Sequence, residues 1–189
     1  EEAVKSLCFN NDCSDIKIVC EGKEFPCHKF ILSLRSSVFK TMFISDLKIS
    51  DDEEQSRLKI EDISAETMSL FIKFLYTDQI KSEDIDANLL IAADKYNVKR
   101  LVNICRKHLE SIIDVKNVMT ITLAAYLINN EQLLQKASKF ISNNEEDAEG
   151  IGQLLKIERT DLLASLLGGF NWFISLSDCC NLSLFDAPP

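Results

Sequence analysis

Glycine, proline and histidine are scarce in this chain of 189 residues, which has 5 glycines, 3 prolines and 2 histidines. An all-β protein with many tight turns needs more glycine and proline, so the composition favours helices. The sequence also lacks a glycine-rich phosphate loop, a GxSxG nucleophile elbow and an HExxH motif. We therefore predict a protein that is not an enzyme and that uses no cofactor.

Positive charge is also in deficit, because 21 Lys and Arg residues face 30 Asp and Glu residues and give a net charge of −9. A chain this acidic without a dense basic stripe is a poor ligand for a phosphate backbone. The cations between Lys99 and Lys107 have no interleaved aromatic residues and are typical of a solvated helix face. We predict no nucleic-acid partner.

The 7 cysteines are odd in number and form no Cys-x-x-Cys pair. No secretory leader precedes Glu1 and Glu2, so we expect free thiols in a reducing compartment, nuclear or cytoplasmic. Cys27 with His28 invites a zinc hypothesis, but zinc needs about four ligands at suitable spacing. Cys105 and His108 are three residues apart on one predicted helix, without an acid partner. We predict packed side chains at both places and no metal site.

Apolar periodicity predicts a β-hairpin followed mainly by helices. The spacing of Val4, Leu7 and Cys8 gives one stripe on a short helix within residues 1–11. A helical stretch over 28–43 is expected to break near Ser36, and Ser64 is a predicted N-cap. The predicted strands cover 15–20, 24–27 and 57–60, and the later helices cover roughly 86–96, 99–113, 115–128 and 131–141.

The block from Phe25 to Phe43, with Asp15 upstream, resembles the signature of the BTB/POZ domain. The segments 60–63, 74–77 and 89–96 match the same family, and the likeness covers about residues 1–112. Within the family the chain looks most similar to the speckle-type POZ group. Residues 113–167 resemble a 3-box or a partial BACK domain more loosely, and residues 168–189 form an atypical tail that resembles no known family.

The resemblance implies a mostly helical α+β fold, in which short strands flank a cluster of helices and an all-helical extension follows. It also implies a homodimer formed through an N-terminal helix, and docking of a cullin N-terminal domain. The chain would then be a substrate adaptor of a ubiquitin ligase, holding its protein substrate through an unseen upstream domain. Because the chain has no initiator Met, we expect it to be a fragment.

The resemblance assigns Val4, Leu7 and Ile31 to the dimer seam and places an acid–base pair, Asp15 and Lys29, close to it. A two-fold interface uses the same patch twice, so a few apolar residues are doubled in effect. Two alternatives remain open from the residues alone. In the first, the stripe of Val4 and Leu7 packs on its own domain. In the second, which is independent of the first, Asp15 and Lys29 form an exposed pair of little energetic weight.

The resemblance assigns Phe43, Asp46, Leu47 and Tyr96 to the cullin contact. Cullin-binding relatives carry a hydrophobic–x–Glu motif here, whereas this chain places Leu47 at the apolar position and Ile49 where Glu belongs. The missing carboxylate removes a hydrogen bond and some steering. The alternative is an oligomerisation scaffold or transcription-type regulator that binds no cullin.

Residues 168–189 hold the single Trp and two adjacent cysteines, Cys179 and Cys180. Ser, Asn and Asp interrupt this segment, and it is too short to span a bilayer, so we predict no membrane partner. A packed terminal arm and a region foreign to the fold both remain open.

Overall fold

A computed structural model describes residues 2–46 and 57–144 of the chain. Short strands accompany a larger set of helices there, and the expected mostly helical α+β fold is confirmed. A 3₁₀ turn lies at Ser82–Asp84. The strands are β1 Ile16–Cys20, β2 Lys23–Cys27 and β3 Arg57–Lys59. The helices are α1 Glu2–Lys5, α2 Lys29–Arg35, α3 Ser37–Asp46, α4 Ala65–Thr77, α5 Ala87–Lys95, α6 Lys99–Ser111, α7 Val118–Leu127 and α8 Glu131–Asn143.

The described strands form one mixed sheet with the order β2-β1-β3. β1 pairs antiparallel with β2, with Ile18 opposite Phe25, and parallel with β3, with Ile18 opposite Leu58. The predicted hairpin is confirmed, and its turn is tight because Glu21 and Gly22 both have positive φ, 50° and 77°. Alternate residues of β1 are buried, so one sheet face covers the helical core.

The core is centred on α4 and α5. The Ser64 side chain accepts a hydrogen bond from the Thr67 N–H at 3.2 Å, which confirms the predicted N-cap. α4 ends at Asp78, whose left-handed backbone (φ 57°) stops the helix. Asp86 caps α5 in the same way, through the Leu89 N–H at 2.7 Å. Most side chains of both helices are buried, and each helix also keeps exposed polar residues, such as Lys73 of α4 and Asp94 of α5.

Two predicted helices are shorter than the apolar spacing suggested. α1 stops at Lys5, and the chain then turns, with Phe9 in the left-handed region (φ 61°). α7 begins at Val118 because the Asp114 carboxylate accepts the N–H groups of Lys116 and Asn117, which makes a local turn. Side-chain hydrogen bonds of this kind compete with the helix at positions where apolar periodicity alone predicts it.

α7 and α8 pack on the main core and also on each other. Ala124 and Ala125 of α7 and Leu133 of α8 are buried within the main core. Val118, Met119 and Ala137 make a small second core between α7 and α8. Residues 47–56 and 145–189 lie outside the described residues, and the second range includes residues 145–167 of the predicted extension and the whole predicted tail.

Candidate functional site

The start of α2 brings Asp15 and Lys29 together, but through the backbone. The Asp15 carboxylate accepts a hydrogen bond from the Lys29 N–H at 2.7 Å. This contact satisfies one of the first N–H groups of α2 and puts negative charge at the positive end of the helix. Asp15 and Lys29 therefore lie close together, as predicted. Their contact is a helix cap from the segment before β1 and takes the place of an ion pair between the two side chains.

His28 occupies the N-cap position of α2, yet its ring does not cap the helix. Its Nδ1 lies 2.8 Å from the Tyr76 hydroxyl, and its Nε2 lies 3.0 Å from the Asp12 carbonyl oxygen. A carbonyl only accepts, so Nε2 carries the proton and the Tyr76 hydroxyl donates to Nδ1. The same hydroxyl accepts the His28 N–H at 2.9 Å. His28 therefore joins α4 to the loop before β1 as a structural residue.

The two faces of α2 differ sharply in exposure. Ile31 and Leu32 point into the core, 9% and 0% exposed, whereas Phe30 and Leu34 are 76% and 72% exposed. Ile31 therefore packs within its own domain, and the dimer contact that the resemblance assigned to it stays a prediction. Phe30 and Leu34 are four residues apart and share one helix face. The sequence did not identify Phe30 and Leu34 as site residues. The available signal was the presence of apolar residues on both sides of one short helix.

The N-terminal residues expose part of their apolar surface. Val4 is 39% exposed, Leu7 is half-buried against the main core, and α1 lies against α4. Phe9 is also 39% exposed, and its ring centroid lies 5.8 Å from that of Phe25 in β2. Leu7 therefore packs on its own domain, and Val4 keeps an exposed portion.

An aromatic array runs along α3, formed by Phe39, Phe43 and Tyr96. The Phe39 ring stacks on Tyr96 with centroids 4.5 Å apart and on Phe43 with centroids 5.8 Å apart. Tyr96 is 1% exposed and Phe43 is 7% exposed. Burial raises the pKa of the Tyr96 hydroxyl. Both side chains lie in the core, and the direct cullin contact that the resemblance assigned to them stays a prediction.

The end of α3 leads into the segment predicted to anchor a cullin. Asp46 is the last residue of α3, whereas Leu47, Lys48 and Ile49 lie outside the described residues. Ile44, two residues before the end, is 56% exposed. The residue pattern does not single out Ile44, because only its exposure distinguishes it from the buried Phe43.

Cys105 and Cys27, the cysteines of the two Cys–His pairs, are both buried thiols. Burial raises the pKa of each to about 12, so both are protonated at neutral pH and neither is a ready nucleophile. Cys105 lies in the main core, as a packed helix requires. In the described part of the chain, no group of three or more His, Cys, Asp and Glu side chains is placed to hold a metal ion.

No helix among residues 2–46 and 57–144 combines the length and the apolar character needed to cross a bilayer.

Comparison with known proteins places this geometry in a family. The sequence model of the BTB/POZ domain matches residues 5–113. Kelch-like protein 24 of Homo sapiens is 29% identical over 151 residues, 79% of this chain and 25% of that protein. The Rattus norvegicus protein of the same name matches to the same extent. This chain therefore spans about a quarter of the length of these curated relatives.

One solved structure supports the fold itself. The BTB domain of zebrafish PATZ1 superimposes with a TM-score of 0.50 at 20% sequence identity. The match covers 58% of this chain and 90% of that domain. At this identity the likeness concerns the fold alone.

Proposed function

This chain belongs to the BTB/POZ domain family, a family of non-catalytic protein-interaction modules, and we propose that it is a homodimerising substrate adaptor of a cullin-dependent ubiquitin ligase. In this proposal residues 1–112 form the BTB/POZ domain and residues 113–167 form a 3-box or partial BACK-like extension. The two sites are the outer face of α2 and the end of α3.

The observation that carries the proposal is the exposed apolar face of α2. Phe30 and Leu34 each leave more than two thirds of their surface in water, which is costly for side chains of this size. Large apolar residues exposed side by side are typical of an interaction site. A second copy of this chain is the occupant we propose, because a two-fold interface buries the same patch twice.

Val4, 39% exposed on α1, is a second apolar contributor to the proposed dimer, and Leu7 is half-buried against the core. In this proposal Phe30 and Leu34 make the dimer contact that the resemblance assigned to Ile31, whose side chain belongs to the core. Asp15 and Lys29 act indirectly in this proposal, since their hydrogen bond fixes the start of α2.

Cullin docking is supported by the apolar residues around the end of α3. Ile44 is exposed on α3, and Leu47 follows directly after its last residue, Asp46. An apolar anchor with a neighbouring carboxylate suits a pocket that has a polar rim. Phe43 and Tyr96 support this end of α3 from within the core.

Ile49 favours a second candidate function, because it stands where cullin-binding relatives carry Glu. In that case the chain is an oligomerisation scaffold or transcription-type regulator that dimerises through α2 without binding a cullin. Both candidates share the dimer, and only the partner at the end of α3 separates them.

The separating experiment titrates the 189-residue chain with a purified cullin N-terminal domain by calorimetry and repeats the titration with Leu47→Asp. We expect micromolar or tighter binding that the variant loses, since a buried charge in an apolar pocket costs several kcal/mol. Val115→Asp is the control, because it places the same charge on a residue that is 44% exposed between α6 and α7.

Cullin binding by the wild type and by Val115→Asp, together with its loss in Leu47→Asp, supports the adaptor. Absence of wild-type binding at micromolar concentration eliminates the adaptor and leaves the scaffold. Sedimentation of the same sample tests the dimer separately, and single copies at high concentration would overturn both candidates.

This proposal does not include membership of the speckle-type POZ group, to which the resemblance pointed. The relatives reported above are Kelch-like proteins, which support the BTB/POZ family without that subgroup. The domain that holds substrate is therefore left open in this proposal.

A further inference from the structure

We propose that contacts between the start of α3 and the α5–α6 turn position α3 for cullin docking, and we call them the α3 clamp. Its members are Ser36, Ser37, Tyr96 and Asn97. The inference rests on the proposed adaptor function. It assigns Ser37 and Asn97 as positioning residues that act through α3, some distance along the helix from the proposed cullin contact.

The buried part of the clamp is a serine that bonds to both elements. The Ser36 hydroxyl donates to the Tyr96 carbonyl oxygen at 2.6 Å and accepts the Phe39 N–H at 3.2 Å. Ser36 is 1% exposed, so these bonds form where water does not compete. One hydroxyl thus caps α3 and ties the helix start to the last turn of α5.

The outer part of the clamp is a hydrogen bond between side chains. The Asn97 amide donates to the Ser37 hydroxyl at 2.8 Å. Asn97 has a left-handed backbone, φ 52°, and its N–H donates to the Asp94 carbonyl oxygen at 2.8 Å. Helix-ending geometry therefore fixes the Asn97 backbone, so its side chain is a stable point from which to hold α3.

The aromatic array continues the clamp along α3. The Tyr96 ring stacks against Phe39 with an interplanar angle of 19°, and Phe39 stacks against Phe43 at 7°. Hydrogen bonds therefore hold the helix start, and stacked rings hold its inner face.

The length of α3 explains why its start matters to its end. A ten-residue helix is about 15 Å long, so a tilt of about 10° at one end moves the other by about 2.6 Å. Asp46 lies at that other end, immediately before Leu47. A displacement of this size is large compared with the fit that a buried anchor requires.

The test compares Asn97→Gly with Asn129→Gly. Asn129 has the same φ of 52° and ends α7 with the same backbone pattern, its N–H donating to the Tyr126 carbonyl oxygen. Within residues 2–46 and 57–144 the Asn129 side chain makes no hydrogen bond, so its removal changes the turn without breaking a clamp. Glycine keeps the left-handed backbone in both variants.

We expect Asn97→Gly to weaken binding of the purified cullin N-terminal domain about threefold to tenfold, the range expected for one lost hydrogen bond. Asn129→Gly should bind as wild type does. Sedimentation and the circular dichroism spectrum should match between the two variants, because neither side chain is in the core. A general structural role would move these readouts together with the affinity.

Two further variants complete the test. Asn97→Asp should keep most of the affinity, since its carboxylate can accept a hydrogen bond from the Ser37 hydroxyl. Ser37→Ala should weaken binding as Asn97→Gly does, and the double variant should be no weaker than either single variant. Equal cullin affinity in wild type and Asn97→Gly would overturn the clamp. Absence of cullin binding by wild type would instead overturn the proposed function and the clamp that rests on it.

Discussion

α2 and α6 are both helices of the same core, but they present opposite surfaces to water. α6 buries Leu101, Cys105 and Leu109, and its outer face carries exposed cations such as Lys99 and Lys107. α2 buries Ile31 and Leu32, yet its outer face carries Phe30 and Leu34. A helix at a water-exposed surface normally has the α6 pattern. The difference supports the proposal that the outer face of α2 contacts a second copy of the chain.

Charge pairing shows the same contrast. Arg106 of α6 pairs with Glu110, which also accepts a hydrogen bond from Lys136 of α8 at 2.5 Å. α6 therefore uses polar contacts within the chain to hold α8. Phe30 and Leu34 of α2 stay exposed in the described part of the chain, as the proposed dimer surface requires.

The largest effect that separates the two faces of α2 is expected in the core. Leu32→Ala should lower the free energy of unfolding by about 2–5 kcal/mol, because Leu32 is fully buried and its loss leaves a cavity. Leu34→Ala, the same change on the outer face, should cost less than about 0.5 kcal/mol. Urea denaturation at concentrations where the chain is monomeric measures both values. Equal losses would show that Leu34 is also a core residue.

The next effect concerns the dimer. Phe30→Asp should weaken self-association more than about a hundredfold, because a two-fold contact would bury the introduced charge twice. Sedimentation velocity over a concentration series measures this change, and circular dichroism checks that the helices remain. Lys107→Asp on the outer face of α6 is the matched control and should leave association unchanged. A dimer that tolerates Phe30→Asp would exclude the outer face of α2 from its interface.

The smallest effect concerns the polar attachment of α8. Burial acts to raise the pKa of Glu110, but hydrogen bonds from Lys136 and Arg106 hold that pKa below its ordinary value of 4.5. A carboxyl group whose pKa is lowered by folding stabilises the fold at pH values above its ordinary pKa. This contribution is lost as the pH falls through the pKa of the group in the folded state. We expect about 0.5–1 kcal/mol to be lost on acidification below that value.

Glu110→Gln should remove the pH dependence of the attachment of α8. Hydrogen exchange of the α8 amides below pH 4.5 measures this attachment. Glu83→Gln is the control, because its carboxylate pairs with exposed Lys81 on the 3₁₀ turn. Protection of α8 that falls equally in Glu110→Gln and wild type on acidification would show that Glu110 does not control the attachment.

Local signals in the sequence predicted most of the elements. Ser64 has a side chain that bonds a nearby N–H, so its cap can be read from neighbouring residues. The alternation in β1 and the spacing in α5 likewise reflect one side of each element facing the core. Such local signals predicted the end of α1 and the start of α7 less accurately. There, left-handed residues and an aspartate turn override apolar spacing.

The candidate site was less predictable, because its residues are defined by which side of a helix is covered. Phe30 and Ile31 are adjacent apolar residues, and Phe43 and Ile44 are another such pair. In each pair one residue is buried and the other is exposed, and only the neighbouring elements decide which. Tyr96 followed the family pattern in sequence but lies beneath α3 in the structure.

Family membership, the hairpin and the order of the helices were already present in the amino-acid sequence, because they depend on residue type, periodicity and caps within a few positions. Tertiary structure alone decided that α2 turns Phe30 and Leu34 outward and that Asn97 reaches Ser37, 60 residues earlier in the chain. The physical reason is that exposure and long-range hydrogen bonds depend on which elements pack together, and no local pattern of residues specifies that packing.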